Sequence, residues 1–311
     1  MLKFEFTDIN DKVVIVKNPL SLLINIEEDV PADDMTVVFE YFDTDELKEV
    51  RVVDNDEVIF TGIVDEISSV CESSGRLIRI VCRSMAAKLL DNESVPVSYT
   101  HPSVSVISSR HIKPFGLSSV SAEDTTYFGT QTVLKGASNW QAVSDFSKNV
   151  YGATPRVNVL GEVEFFGAKE NKETIFSNGT DGIRYTSLTE TIKRCEEISK
   201  VYIKVINSSG YNNTIENADA LKRGIERERY LNAVLTDTPA QCADKMIKNG
   251  RDKSYVVTLV CPGRHLNIFA NSAVVEDSML SRGADLYVSG LRYQLNSKND
   301  ETVVILKRKE V

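Results

Sequence analysis

The chain has 311 residues, 42% of them hydrophobic and 26% charged, and a formal net charge of −9. This composition matches ordinary globular domains and excludes a collagen-like or disordered chain. The length exceeds one typical core and predicts two or three compact units. The acidic excess disfavours nucleic acid as a partner, because phosphate binding needs clustered Lys and Arg.

The five cysteines are an odd set without a C-x-x-C pair: Cys71, Cys82, Cys195, Cys242 and Cys261. This spacing disfavours a disulfide framework or a structural zinc site and favours reduced thiols. The N-terminus alternates like a strand and lacks the apolar core of a signal peptide. No later stretch approaches the ~20 apolar residues of a membrane span, so we expect no membrane anchor.

Residues 1–92 are predicted to form a first, strand-built unit. Short segments rich in β-branched and aromatic residues alternate with Asp, Asn and Pro clusters. The predicted strands are 12–17, 22–26, 36–42, 49–53, 57–67 and 77–82. A short helix capped by Ser84 is predicted to close the unit at Leu90.

Residues 93–185 differ in texture and are predicted to form a middle α+β unit. Pro114 and Gly116 mark a turn. A helix is predicted from Ser138, its cap, to Gly152, which ends it. Its apolar positions recur at helical spacing on one face: Trp140, Val143, Phe146 and Val150. A hairpin is predicted over 157–166.

Residues 186–311 return to strands, predicted at 201–206, 255–261, 267–275, 285–294 and 302–307. A helical insertion is predicted within about 214–250, from Asn217. Its second half carries a Thr238 cap, Pro239 at the first helical position and Gln241 completing a capping box. Gly250 is predicted to lie just past its end.

Two passages, Val58–Ser69 and Asp285–Ser297, resemble each other around Gly62 and Gly290. In both, apolar residues stand two positions before the glycine, directly after it and five positions after it. Strands of matching character flank each passage: 37–39, 52–54 and 77–80 in one, and 256–259, 274–277 and 303–306 in the other. A strand-interior glycine provides a bulge or a close backbone approach. The repeat predicts two related small β-barrels in a mainly β fold with α+β insertions. The alternative is two unrelated hairpins that each contain a glycine.

No enzyme motif is present, so we expect no catalytic residue, no cofactor and no metal site. Three scattered histidines are too few for a metal site, and neither a phosphate loop nor a G-x-S-x-G elbow occurs. Acidic pairs exist at Asp54/Asp56, Glu226/Glu228 and Glu27/Glu28, but adjacent acids in turns are usually solvated. Trp140 is better explained as a core residue than as a ligand-stacking one.

Several segments together resemble a known family. They are Phe60–Asp65, Cys82–Glu93, His111–Gly116, Gly136-x-Ser138-x-Trp140, Tyr151-Gly152 with Pro155-Arg156, Ala243–Gly250 and Tyr255–Pro262. In this order they are similar to the hub proteins of contractile phage tails and phage-tail-like bacteriocins. This group includes late control protein D and the type VI secretion spike hub. The chain most resembles the short, hub-only form of Gram-positive prophages.

The resemblance implies a homotrimer with two tube-like β-barrels in each subunit. Such a trimer joins a hexameric tail tube protein above to a central spike protein below, among other baseplate proteins. Particles of this kind assemble in the bacterial cytoplasm and act outside the cell, which fits the lack of a signal peptide. The structural motif residues are then Gly62, Gly290, Pro114, Gly116, Trp140 and Gly152. Two alternatives remain open, a peptidoglycan-degrading tail enzyme and a carbohydrate-binding tail-tip adhesin.

Overall fold

The computed structural model describes residues 2–73, 75–120, 124–166, 172–179, 181–205, 209–232, 239–280 and 285–308. Strands account for 49% and helices for 19%, which confirms the predicted mainly β fold with α+β elements. The chain divides into two compact units. Unit 1 contains residues 1–171, 262–270 and 290–302, and unit 2 contains residues 172–261, 271–289 and 303–311. No described helix has the length and hydropathy of a membrane span.

The strands of unit 1 are β1 (Leu2–Asp8), β2 (Val13–Lys17), β3 (Ser21–Glu27), β4 (Asp34–Glu40), β5 (Leu47–Asp54), β6 (Glu57–Glu72), β7 (Gly75–Ser84), β8 (Val97–Thr100), β9 (Ser118–Val120), β10 (Thr130–Val133), β11 (Arg156–Val157) and β12 (Glu162–Glu164). Its helices are α1 (Ala87–Leu90), α2 (Val104–His111) and α3 (Asn139–Tyr151).

The strands that lie wholly or mainly in unit 2 are β13 (Glu173–Ser177), β14 (Ser187–Ile192), β15 (Lys200–Lys204), β16 (Asn213–Glu216), β17 (Glu228–Asn232), β18 (Tyr255–Pro262) and β19 (Ser272–Glu276). Its helices are α4 (Ala218–Lys222) and α5 (Pro239–Lys253). The last two strands, β20 (Leu286–Asn296) and β21 (Asp300–Arg308), contribute residues to both units.

The N-terminal strands form one coiled antiparallel sheet in the order β2-β1-β5-β6-β7-β4-β3. Alternate side chains of β1, β3 and β4 are buried, as expected for strands with one face on a core. Phe4 of β1 and Phe39 of β4 contact each other edge to face, with ring centroids 5.1 Å apart. Because β1 and β4 are four places apart in this order, their rings can meet only if the sheet coils round a common core.

The segment after this sheet packs α1, α2 and α3 with small sheets. The prediction for α3 is confirmed at both ends, since Ser138 Oγ accepts the Gln141 amide hydrogen and Gly152 is left-handed. Its predicted apolar face is buried through Trp140 and Phe146. The predicted hairpin is present as β11 and β12. Helix α2, capped by Ser103, was not predicted.

Two helix boundaries differ from prediction. Ser84 is not the cap of α1, because its hydroxyl accepts from the Asp33 amide while the helix begins at Ala87. Gly250 is not past the end of α5, which continues to Lys253. A Cβ at Gly250 would lie 2.8 Å from the Glu196 carbonyl oxygen, so this glycine allows α5 to approach the neighbouring backbone.

The helical stretch predicted from Asn217 is interrupted by a strand. β17 lies between α4 and α5 and pairs in parallel with β15, whose other side pairs with β16. α5 covers this three-stranded sheet through Ala243, which packs with Val201 and Ile203. The Thr238 cap lies outside the described residues.

The two passages that form the sequence repeat occupy the same place in two strand paths. One path runs β3-β4-β7-β6-β5 and the other runs β14-β18-β21-β20-β19. In both paths the glycine-bearing strand, β6 or β20, lies between the strand that follows it in the chain (β7 or β21) and the strand that precedes it (β5 or β19). The sequence repeat aligned Val53 with Val275, and this alignment was wrong by two residues. Val53 pairs with Val58, but Leu286, the residue that matches Val58, pairs with Ala273. The described strands do not establish a closed barrel, and the division at residues 92 and 185 stays a prediction.

Candidate assembly surfaces

Gly62 lies where β6 changes partners. It pairs with Val50 of β5 on one side and with Ser84 of β7 on the other. A Cβ at this position would lie 2.2 Å from the Arg83 carbonyl oxygen and 2.8 Å from Phe60 Cε1. Only glycine allows this approach, and the register of β6 against β7 shifts a few residues later. In β20, Gly290 is buried and pairs with Glu27 of β3.

Beside the register shift in β6, Arg83 of β7 binds two carboxylates. Its guanidinium donates to both oxygens of Asp65, at 2.7 and 2.9 Å, and to both oxygens of Asp91, at 3.0 and 2.7 Å. These bonds lower the pKa of Asp91 and raise that of Arg83. Such two-pronged pairs fix geometry as well as charge. They connect the bulged part of β6 to the end of α1.

His111, in the predicted turn segment, is a buried structural residue at the end of α2. Its Nδ1 lies 3.0 Å from Asn139 Oδ1, and its Nε2 lies 3.0 Å from Tyr99 Oη. Asn139 is oriented by its own Nδ2, which donates to the Asn92 carbonyl, so its Oδ1 accepts from Nδ1–H of the imidazole. Nε2 then accepts from the tyrosine. This is the neutral tautomer, and burial lowers the pKa of His111 accordingly.

The remaining predicted motif residues have local structural roles. Pro114 lies in a single 3₁₀ turn that ends at Gly116, whose φ of 75° is left-handed. Gly152 ends α3 with a φ of 66°. Trp140 is 6% exposed and packs in the core of unit 1, as expected, rather than presenting its ring to a ligand.

The candidate catalytic acids with described contacts hold other parts of the chain. Asp54 accepts from Arg264 Nε at 3.1 Å, while Asp56 lies in the β5–β6 turn with a φ of 70°. Glu228 accepts from the Tyr202 hydroxyl.

Burial raises the pKa of Cys261 to about 12. Among the described residues, no group of acidic, His and Cys side chains could hold a metal ion.

Three features leave contact surface available. The outer strand β2 exposes Val13 and Ile15, each 54% accessible. The face of β15 and β17 carries Tyr202 stacked on Tyr230 at 5.1 Å, with Tyr211 edge-on to Tyr230. The far half of β6 pairs with β7 on one edge and β14 pairs with β18 on one edge, and the second edge of each pairs with no described strand. Sequence reasoning missed β14 and β17 and therefore did not find the second and third surfaces.

No protein-family model matches the chain, and no curated protein matches its sequence. Solved structures do match it. The 43 kDa tail protein of prophage MuSo2 from Shewanella oneidensis has a TM-score of 0.82 at 13% identity, over 99% of this chain and 98% of its own. A tail protein from Neisseria meningitidis MC58 has a TM-score of 0.77 at 14% identity, over 99% and 96%.

A third match is the E. coli c3393 protein, with a TM-score of 0.57 at 8% identity, over 99% of this chain and 77% of its own. It is described as a component of the type VI secretion system with structural similarity to the T4 bacteriophage tail proteins gp27 and gp5. At these identities the likeness concerns the fold. Along almost its whole length, this chain has the fold of phage tail proteins.

Proposed function

We propose that the chain is a structural protein of a tail baseplate and that three copies form its hub. The hub joins a hexameric tail tube to a central spike. The observation that carries this proposal is the strand path that occurs twice in one chain. Three copies then offer six similar modules to the tube while keeping threefold symmetry for the spike. Closed assemblies of this kind also cover strand edges that would otherwise remain open.

The neighbours support the same role. Two are tail proteins matched over nearly their whole length. The third is a type VI secretion component said to resemble T4 tail proteins. The described acidic residues support a role without catalysis, since Asp54 and Glu228 bind other side chains. The chain would assemble in the bacterial cytoplasm and become part of an extracellular phage or bacteriocin particle.

The test is the mass of the purified chain, alone and mixed with tube or spike protein. We expect light scattering to give three times the chain mass, and we expect both proteins to co-purify with the trimer. A chain that stays monomeric in all three samples contradicts the proposal. If it lowers the turbidity of purified cell walls, the peptidoglycan-degrading alternative is supported instead.

The exposed tyrosines favour one other candidate, a carbohydrate-binding adhesin. Tyr230 is 63% exposed and lies between Tyr202 and Tyr211, and sugar rings pack on such aromatic faces. A glycan array separates the two functions. Binding that is lost in Tyr230→Ala would support the adhesin, whereas no binding leaves the hub as the function.

A further inference from the structure

Among the strand edges that are open in the part of the chain that the structure describes, two lie on the repeated strand paths. β6 pairs with β5 only from Glu57 to Ile63, and beyond its bulge it pairs only with β7. We call residues 64–71 the β6 extension. β14 pairs only with β18. An edge with unpaired N–H and C=O groups is a template for another strand.

The internal repeat indicates which strand fits each edge. In the two strand paths, β6 has the same place as β20, and β3 has the same place as β14. The second half of β20 pairs antiparallel with β3, from Gly290 opposite Glu27 to Asn296 opposite Ser21. The β20 edge is therefore filled by the first strand of the other path. The matching edge of β6 is open, and so is β14, the strand that matches β3.

We propose that the β6 extension of one subunit pairs antiparallel with β14 of a second copy of this chain. The pairing repeats between subunits the β20–β3 pairing found within one subunit. It rests on the proposed trimer and deepens it by naming the contact. The contact is heterologous, because each copy offers a different edge to its two neighbours, and such contacts form a ring when the rotation from one copy to the next closes, here after three copies.

Side chains at both edges fit this occupant. Val70 on the β6 extension is 36% exposed, and Ile192 at the end of β14 is 40% exposed. An added strand would cover apolar surface on both. The lengths also match, since β14 has six residues and the β20–β3 ladder has seven residue pairs.

The first test uses lysine, which blocks pairing at natural sheet edges. We expect Val70→Lys and Ile192→Lys each to convert the trimer to monomer in light scattering. Leu160→Lys is the matched control, because Leu160 is an exposed apolar residue in the turn between β11 and β12, and it should leave the mass unchanged. Circular dichroism and the melting temperature show whether each variant folds. A trimer that survives both edge variants overturns this pairing and leaves the proposed function standing, whereas a wild-type monomer overturns both.

The second test measures orientation and does not require a disruptive change. In the β20–β3 ladder, Asn296 at the end of β20 lies opposite Ser21, the first residue of β3. In the proposed pairing, the end of the β6 extension likewise lies beside the first residues of β14. In a Cys71→Ser, Cys195→Ser background, Ser69→Cys with Ser187→Cys should form linked oligomers on mild oxidation. Ser69→Cys with Thr191→Cys should not, because four strand residues add about 13 Å. Linkage through Thr191 alone, or through neither position, overturns the proposal.

Discussion

Gly62→Ala tests whether the close approach of β6 to β7 shapes the first sheet. The new Cβ would lie 2.2 Å from the Arg83 carbonyl oxygen, more than 1 Å inside van der Waals contact at about 3.5 Å. The obstacle is backbone, so no side-chain rotation relieves it, and β6 must move away from β7. Overpacking of this kind costs about 1–3 kcal/mol, against a gain of about 0.4–1 kcal/mol from the stiffer unfolded chain. We expect a net loss of about 1–2 kcal/mol.

The assay is thermal unfolding followed by circular dichroism. For a unit of this size, about 1–2 kcal/mol corresponds to a fall of about 2–8 °C in Tm. If Gly62→Ala melts at the wild-type temperature, the steric argument is refuted.

Three further predictions concern the core and the response to pH. Phe146 is fully buried edge-on to Phe165, so Phe146→Ala should cost about 3–5 kcal/mol in denaturant unfolding. Burial raises the pKa of Asp33 from 3.8 to about 6, despite the Arg156 guanidinium 2.8 Å away. Between these pH values the Asp33 carboxyl is protonated in the folded state and ionised in the unfolded state. The free energy of unfolding should therefore decrease as pH rises from 4 to 6, and Asp33→Asn should remove that slope. For His111 the pKa is lowered by burial, so only the unfolded state gains a proton as pH falls through 6.5. The free energy of unfolding should therefore decrease as the pH is lowered through this range, opposite to the slope from Asp33, and His111→Gln should remove the decrease. Urea titrations at pH 4, 5, 6 and 7 measure both slopes.

The sequence predicted elements whose signals are local. Helix α3 has a cap at Ser138, an apolar face and a left-handed glycine at its end, and all three agree. The strands of the first sheet were predicted for the same reason, since each alternates and is bounded by turn residues. The ends of elements were predicted less accurately, because in the sequence a glycine that ends a helix looks the same as a glycine within a helix that allows close backbone packing. Gly250 was assigned to the first class and belongs to the second.

Elements that depend on distant partners were missed. β17 is a strand because it pairs in parallel with β15, and nothing in Glu228–Asn232 alone outweighs the helical signals around it. α2 was missed because its three serines and one arginine, set among few apolar positions, resemble a loop. The acidic pairs were interpreted as solvated charges, whereas Asp54 binds Arg264, a partner far along the chain. No local pattern contains that information.

The equivalent places of β3 and β14 are the clearest case, and they explain why the proposed contact between subunits could not be found from sequence. β3 buries Leu22, Ile24 and Ile26, whereas β14 has the half-buried Glu190, which accepts from the Tyr255 hydroxyl at 2.8 Å. The side chains of the two strands therefore differ, while their place in the strand path is the same. Strand pairing uses backbone groups that every residue except proline carries, so a repeat can keep an edge after its sequence likeness is lost. For this reason the strand order, rather than the residue match around Gly62 and Gly290, identifies the edges that three copies would join.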